Sequence, residues 1–167
     1  MGRVVAVYLA DAGGLAMRSV QSAVAVAGQG LLGDRYQAGT GEWCYDRRLY
    51  DDVTLIAAEA LDAAGAEHGV RLQGGVARRN VETRGVDLLA LVGRHFLIGG
   101  VVLYGNRACE PCRYLDRVTG QPAKAALSGR GGLRATVITG GLLGVGDLVL
   151  ARPATRPGGQ NGSASGC

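Results

Sequence analysis

The chain has 167 residues, 47% of them apolar, and a formal charge of +4, which suits one domain with a sizeable core. Seventeen arginines stand against a single lysine, Lys124, and they are scattered along the chain; with one Phe and one Trp available for stacking, nucleic-acid binding is not expected. No apolar run approaches bilayer length, and secretory, myristoylation and CaaX patterns are lacking, so the expectation is a cytoplasmic protein with reduced thiols and no membrane partner.

RVVAVYLA (3–10) reads as the first strand and SVQSAVAVAG (19–28) as the second, through the alternation of Val20, Ala23 or Val24, and Val26. The glycines of GQGLLGD (28–34) close a turn, and the polar stretch 37–51, with Trp43 and Cys44, reads as a surface loop. VTLI (53–56) is strand-like and then changes period: Ala57, Ala58, Ala60, Leu61 and Ala64 have helix spacing, stopped by Gly69. Short strands separated by glycine turns follow within 74–85, 94–100, 101–108, 133–141 and 146–152, with a short helix over 121–129. The 29 glycines show no three-residue repeat and so mark turns rather than collagen. Residues 1–151 are thus expected to form one mostly β (α+β) domain, a barrel or compact sandwich, and 152–167 a disordered tail.

CEPC (109–112) is the chain's most chemical motif, and three readings compete for it. A zinc ribbon needs a second ligand pair, and only His68 and His95 are available. A dithiol switch has the right spacing, but the preceding strand reads as antiparallel and no parallel crossover is visible. The third reading is one reactive thiolate, Cys112, stabilised by Arg107, Arg113, Arg117 and a following helix start. ARRNVETRG (77–85) offers a second candidate site. On strand alternation Val81 faces the core, so Arg78 and Asn80 leave it, toward phosphate or toward solvent.

Four separated motifs, GLLGDR, RRNVETRGVDLLALVGRHFLIGGVVL, ACEPC and GRGGLRATVITGGLLGVGDLVL, together resemble a MOSC domain from about Val20 to Leu150. This is the C-terminal domain of molybdenum-cofactor sulfurases, found alone in many small bacterial proteins. The resemblance implies a MOSC-type β-barrel with a few short helices and a pocket for the molybdenum cofactor (molybdopterin). Cys112 would be the catalytic cysteine, as a persulfide carrier or the molybdenum ligand. RYLDRVTG (113–120) also resembles the branch that reduces N-hydroxylated compounds. Arg78 and Asn80, separated by Arg79, together with Arg35 and Arg134, would anchor the cofactor. Gly33 and Asp34 complete the glycine–aspartate–arginine turn, with Asp34 orienting an arginine or the pterin.

The resemblance leaves the expected activity as reduction of a small N-hydroxylated substrate or transfer of sulfur. An electron-donor reductase would serve the first and a cysteine desulfurase the second. Pyridoxal phosphate would belong to that separate desulfurase, because Lys124 has no cofactor-like surroundings. The alternatives are a non-catalytic molybdopterin carrier and the dithiol switch.

Overall fold

Strand β1 (Gly2–Leu9) alternates buried and open positions, but a bulge between Val4 and Ala6 resets the phase, so that Val4, Val7 and Leu9 all reach the core. The protein is described by a computed structural model over residues 1–40 and 51–153. The expected second strand is two, β2 (Arg18–Val20) and β3 (Ser22–Val26), broken at Gln21. Ala23 and Ala25 take the buried face of β3, while Val24 is exposed. The small residues therefore pack inward, against the expectation from hydrophobicity, and β4 (Gly30–Leu31) pairs beside them.

Next comes β5 (Val53–Ala57), running directly into α1 (Ala58–His68), which stops at Gly69 as the periodicity predicts. β6 (Val81–Arg84) returns parallel to β5, with Leu55 opposite Val81. A parallel crossover thus exists, contrary to expectation, because α1 carries the chain back over the sheet; it precedes the CEPC motif by some distance in the chain. The remaining elements are a 3-10 turn (Leu89–Leu91), β7 (His95–Ile98), β8 (Val101–Ala108), α2 (Arg113–Thr119), α3 (Ala123–Ala126), β9 (Leu133–Thr139), β10 (Gly141–Gly144) and β11 (Leu148–Ala151).

Around the barrel the order is β1, β6, β5, β9, β8, β7, β11, and the pairing of β11 with β1 closes it as a seven-stranded β-barrel. Only the β5–β6 contact in this ring is parallel. β2 extends one flank of β1, and a separate sheet of β10, β3 and β4 lies against the wall. That small sheet lends Ala23, Ala25, Leu31 and Leu143 to the same core as Phe96, Ile98, Leu103 and Val137. Each large side chain fully buried there stabilises the fold by about 1.5–3 kcal/mol. A second cluster outside the barrel joins Ile56, Leu61 and Ala64 to Leu115, Ala126 and Leu127. It fixes α2 and α3 against α1, and so fixes the segment that follows the two cysteines.

Among the described residues no helix is long and apolar enough to cross a membrane. The expected loop over 37–51 is described only at its ends, and Trp43 and Cys44 lie outside the described residues, as does the expected tail from residue 154 onward. Asp51, placed in that surface loop by its polarity, is buried, because it holds Asn106 and Arg107 through hydrogen bonds of 2.6 and 3.1 Å.

Candidate functional site

CEPC leaves β8 and enters α2, so its two cysteines have unequal surroundings. Cys109 is buried, its amide donating 2.8 Å to the Gly132 carbonyl, whereas Cys112 is exposed and stands at the N-cap of α2. The loop is held by Arg79. Its Nε donates to the Gly131 carbonyl at 2.8 Å, Nη1 to Ala77 at 2.8 Å and Nη2 to Cys109 at 3.3 Å. A buried guanidinium spread over three carbonyls ties the loop before β6 to the turns flanking β8 and β9. Residue 131 must be glycine: a Cβ there would lie 2.2 Å from the Cys109 oxygen.

The aspartate–arginine turn packs against the same place. Asp34 is fully buried and accepts from the Ala10 and Tyr36 amides at 2.9 and 3.3 Å and from Arg35 Nη1 at 3.2 Å. Arg35 Nη2 in turn donates 3.1 Å to the Arg78 carbonyl, and its guanidinium lies over the Tyr36 ring at 4.3 Å. Gly33 is exposed with φ +82°, so it supplies the turn rather than a contact in the cleft.

Arg78 is the unusual member. Its backbone has φ 63°, the left-handed region that non-glycine residues enter at a cost. One guanidinium nitrogen meets the Leu15 carbonyl, but Nη2 is buried with no hydrogen-bond partner among the described residues. Burial first, and then the like charge of Arg35, pull its pKa down from the ordinary arginine value, although it stays a cation. One other buried side-chain atom is similarly orphaned, the hydroxyl of Tyr114. Arg134, at the start of β9, has its Nε 3.8 Å from the Asp51 carboxylate. Burial opposes its charge, but Cys109, Tyr36 and Asp51 together more than offset that and raise its pKa.

These groups line one cleft: Arg35, Arg78, Arg79 and Arg134, with Tyr36, Tyr114, Glu110 and Cys112. Four arginines face one exposed carboxylate and one thiol. A lone buried donor costs about 1–3 kcal/mol, and both of these belong to side chains that line the cleft.

Of the residues singled out in the sequence, the fold brings Cys112, Arg35, Arg78 and Arg134 together, with Asp34 beneath Arg35. It does not bring in Asn80, which was expected to leave the core beside Arg78. Asn80 is 0% exposed, accepting from the Thr54 amide and hydroxyl at 3.2 and 3.0 Å and donating to the Tyr8 carbonyl at 3.2 Å. Strand alternation fails there because residues 74–79 are turns, with Arg78 left-handed, and the strand begins only at Val81. The arginines adjacent in sequence to Cys112 also differ from expectation. Arg113 and Arg117 are exposed on α2 and Arg107 pairs with Asp51, while the cleft's cations come from distant segments. Tyr36, Tyr114 and Glu110 carried no signal in the sequence beyond their nearness to motifs.

Neither histidine is near a ligand set: His68 is in the last turn of α1 and His95 packs edge-on against Tyr104. Among the described residues no three His, Cys, Asp or Glu side chains gather as a metal site.

The MOSC domain family matches residues 48–150, a span that holds Arg78, Arg79, Cys112, Tyr114 and Arg134. The chain belongs to the MOSC domain family. The solved structures it resembles agree on the barrel. The YuaD protein from Bacillus subtilis superposes with a TM-score of 0.74 at 19% identity, covering 89% of this chain and 94% of that one. YiiM from Geobacillus stearothermophilus gives 0.70 at 11% identity, with 92% and 76% covered, and YiiM from Escherichia coli gives 0.64 at 15%, with 92% and 71%. No curated protein matches the sequence significantly. At these identities the structural likeness speaks for the MOSC barrel alone.

Proposed function

We propose that this MOSC protein binds the molybdenum cofactor in the Cys112 cleft and acts there as a reductase of N-hydroxylated small molecules. The carrying observation is the convergence of an exposed thiol, four guanidinium groups and two orphaned donors on one cleft. The donor set fits the cofactor. Arg35, Arg78 and Arg134 would hold an anionic phosphate through their planar forks, and Cys112, as thiolate, is a soft ligand for molybdenum. With no other protein ligands clustered among the described residues, a metal at Cys112 would keep the ligands of its own organic group. Bound there, the cofactor would supply two-electron chemistry at an N–O bond.

The chain's own residues have simpler duties. Arg79 holds the backbone of the cysteine loop, which fixes where the thiol stands. Asp34 holds Arg35, and the outer helical cluster keeps α2 in place. Electrons would come from a separate donor reductase.

The exposure of Cys112 also favours a second reading, a persulfide carrier loaded by a cysteine desulfurase, since another protein's sulfur could reach it. The burial of Cys109 weighs against a dithiol switch, in which both thiols must react.

Native mass spectrometry of wild type and Cys112→Ser, purified anaerobically from a cofactor-replete host, tests the proposal. A molybdenum-containing adduct lost in the variant supports the reductase, and turnover of an amidoxime or N-hydroxylated purine with an added electron source completes it. A sulfur-sized adduct on Cys112 without molybdenum means the carrier instead. A cofactor retained by Cys112→Ser with full turnover refutes the role of the thiol.

A further inference from the structure

Most polar groups around the cleft are satisfied within the fold. Arg79 spends its donors on three carbonyls, Arg35 reaches Asp34 and the Arg78 carbonyl, and Arg134 has Asp51 3.8 Å from its Nε. The two exceptions are Arg78 Nη2 and the Tyr114 hydroxyl, both buried, both unpartnered among the described residues, and both on side chains lining the cleft. They come from unconnected parts of the chain, a left-handed turn and the first turn of α2. The two side chains are close enough for Tyr114 to act on the charge of Arg78. Tyr114 is also two residues past Cys112 on the same helical turn, and the Arg117 guanidinium lies 5.7 Å from the centre of its ring.

A phenol hydroxyl and a guanidinium nitrogen that each lack an acceptor are suited to the same partner, an anionic oxygen. We propose that Arg78 and Tyr114 form a two-donor seat for one oxyanion beside Cys112, so that the cleft selects ligands carrying a phosphate or carboxylate oxygen near the atom the thiol meets. Tyr114 is then a binding residue of the cleft. The inference rests on the same cleft being the ligand site, as in the reading above, but not on molybdenum or on any reaction.

Alkylation of Cys112 reads the seat directly. Iodoacetate and iodoacetamide both react by sulfur displacing iodide, forming an S–C bond as the C–I bond breaks, and they differ only in that the first carries a carboxylate. The protein is produced in a host unable to make the pterin, and modification of the Cys112 peptide is followed by mass. Iodoacetate should react with saturating kinetics, and inorganic phosphate should compete, while the iodoacetamide rate rises linearly with concentration. Tyr114→Phe should weaken phosphate protection about tenfold, as expected for one hydrogen bond to a charged acceptor, with the iodoacetamide rate within about twofold of wild type. Arg78→Lys should weaken it at least as much.

Protection by phosphate stronger than by acetate would assign a tetrahedral oxyanion, and the reverse a carboxylate. Equal protection by chloride at matched ionic strength would reduce the effect to screening and overturn the seat. Unchanged protection in Tyr114→Phe would overturn it as well. Protection that depends on Tyr114 in a protein that never takes up molybdenum would leave the seat standing while the cofactor reading falls.

Discussion

Two connections in this barrel are built on opposite terms. The turn from β10 to β11 is short, and its polar groups are used: Asp147 accepts from the Gly144 amide at 2.8 Å, and its own carbonyl takes the Val4 amide at 2.9 Å. The segment from Gly74 to Asn80 is longer and uneven. Glu82 closes its start by accepting from the Gly74 amide at 3.0 Å, Asn80 closes its end, and between them Arg78 keeps a strained backbone and an unmet donor. The first connection is complete in the folded chain. The second leaves a buried donor unmet among the described residues, and under the proposed function a bound ligand is what would complete it.

The largest effect is expected at the thiol. Cys112→Ser should drop molybdenum content and turnover to below about a hundredth of wild type while the urea midpoint stays put, since an exposed N-cap residue contributes little packing. A large loss of stability would make Cys112 structural. Next comes the contrast within the uneven loop. Asn80→Ala strands the Thr54 amide and hydroxyl and should cost about 2–3 kcal/mol in urea unfolding. Arg78→Gly, two residues away, removes a left-handed side chain and a buried donor without an acceptor, and should stabilise by about 1 kcal/mol while weakening ligand binding. If both variants destabilise alike, the loop is one structural unit.

Asp147→Ala should cost about 1 kcal/mol and leave the Cys112 alkylation rate unchanged, because the side-chain bond it removes ends within the turn, at Gly144. The smallest effect is in pH dependence. Burial, only partly countered by the Val137 amide, raises the Asp52 pKa above its ordinary value, with Asp51 adding to the rise. The folded state therefore binds this proton more tightly than the unfolded one, and stability falls as pH climbs from about 4 through the raised value. Asp52→Asn should keep an acceptor for Val137 and flatten that part of the urea-midpoint profile.

Strand and helix positions after residue 50 were legible because alternation, the change of period at Ala57 and glycine stops are local signals. Cys112 was legible through its motif. The cleft was not, since its arginines reach it from segments separated by up to about a hundred residues, and nearness in sequence pointed instead to Arg113 and Arg117. Asn80 was misplaced because a single left-handed residue shifts the facing of everything around it. Tyr114 was invisible, because a missing hydrogen bond leaves no mark in composition.

The closing seam of the barrel, where Gly2 and Arg3 meet Val149 and Leu148, has a consequence for synthesis. The barrel's first strand waits for its last, so a ribosome-bound chain carries this open sheet edge while the roughly 145 residues between them are made. β2 shields only the far end of that edge, over Val7 to Leu9. Whatever guards the newborn chain from pairing with its neighbours must do so until the final strand emerges.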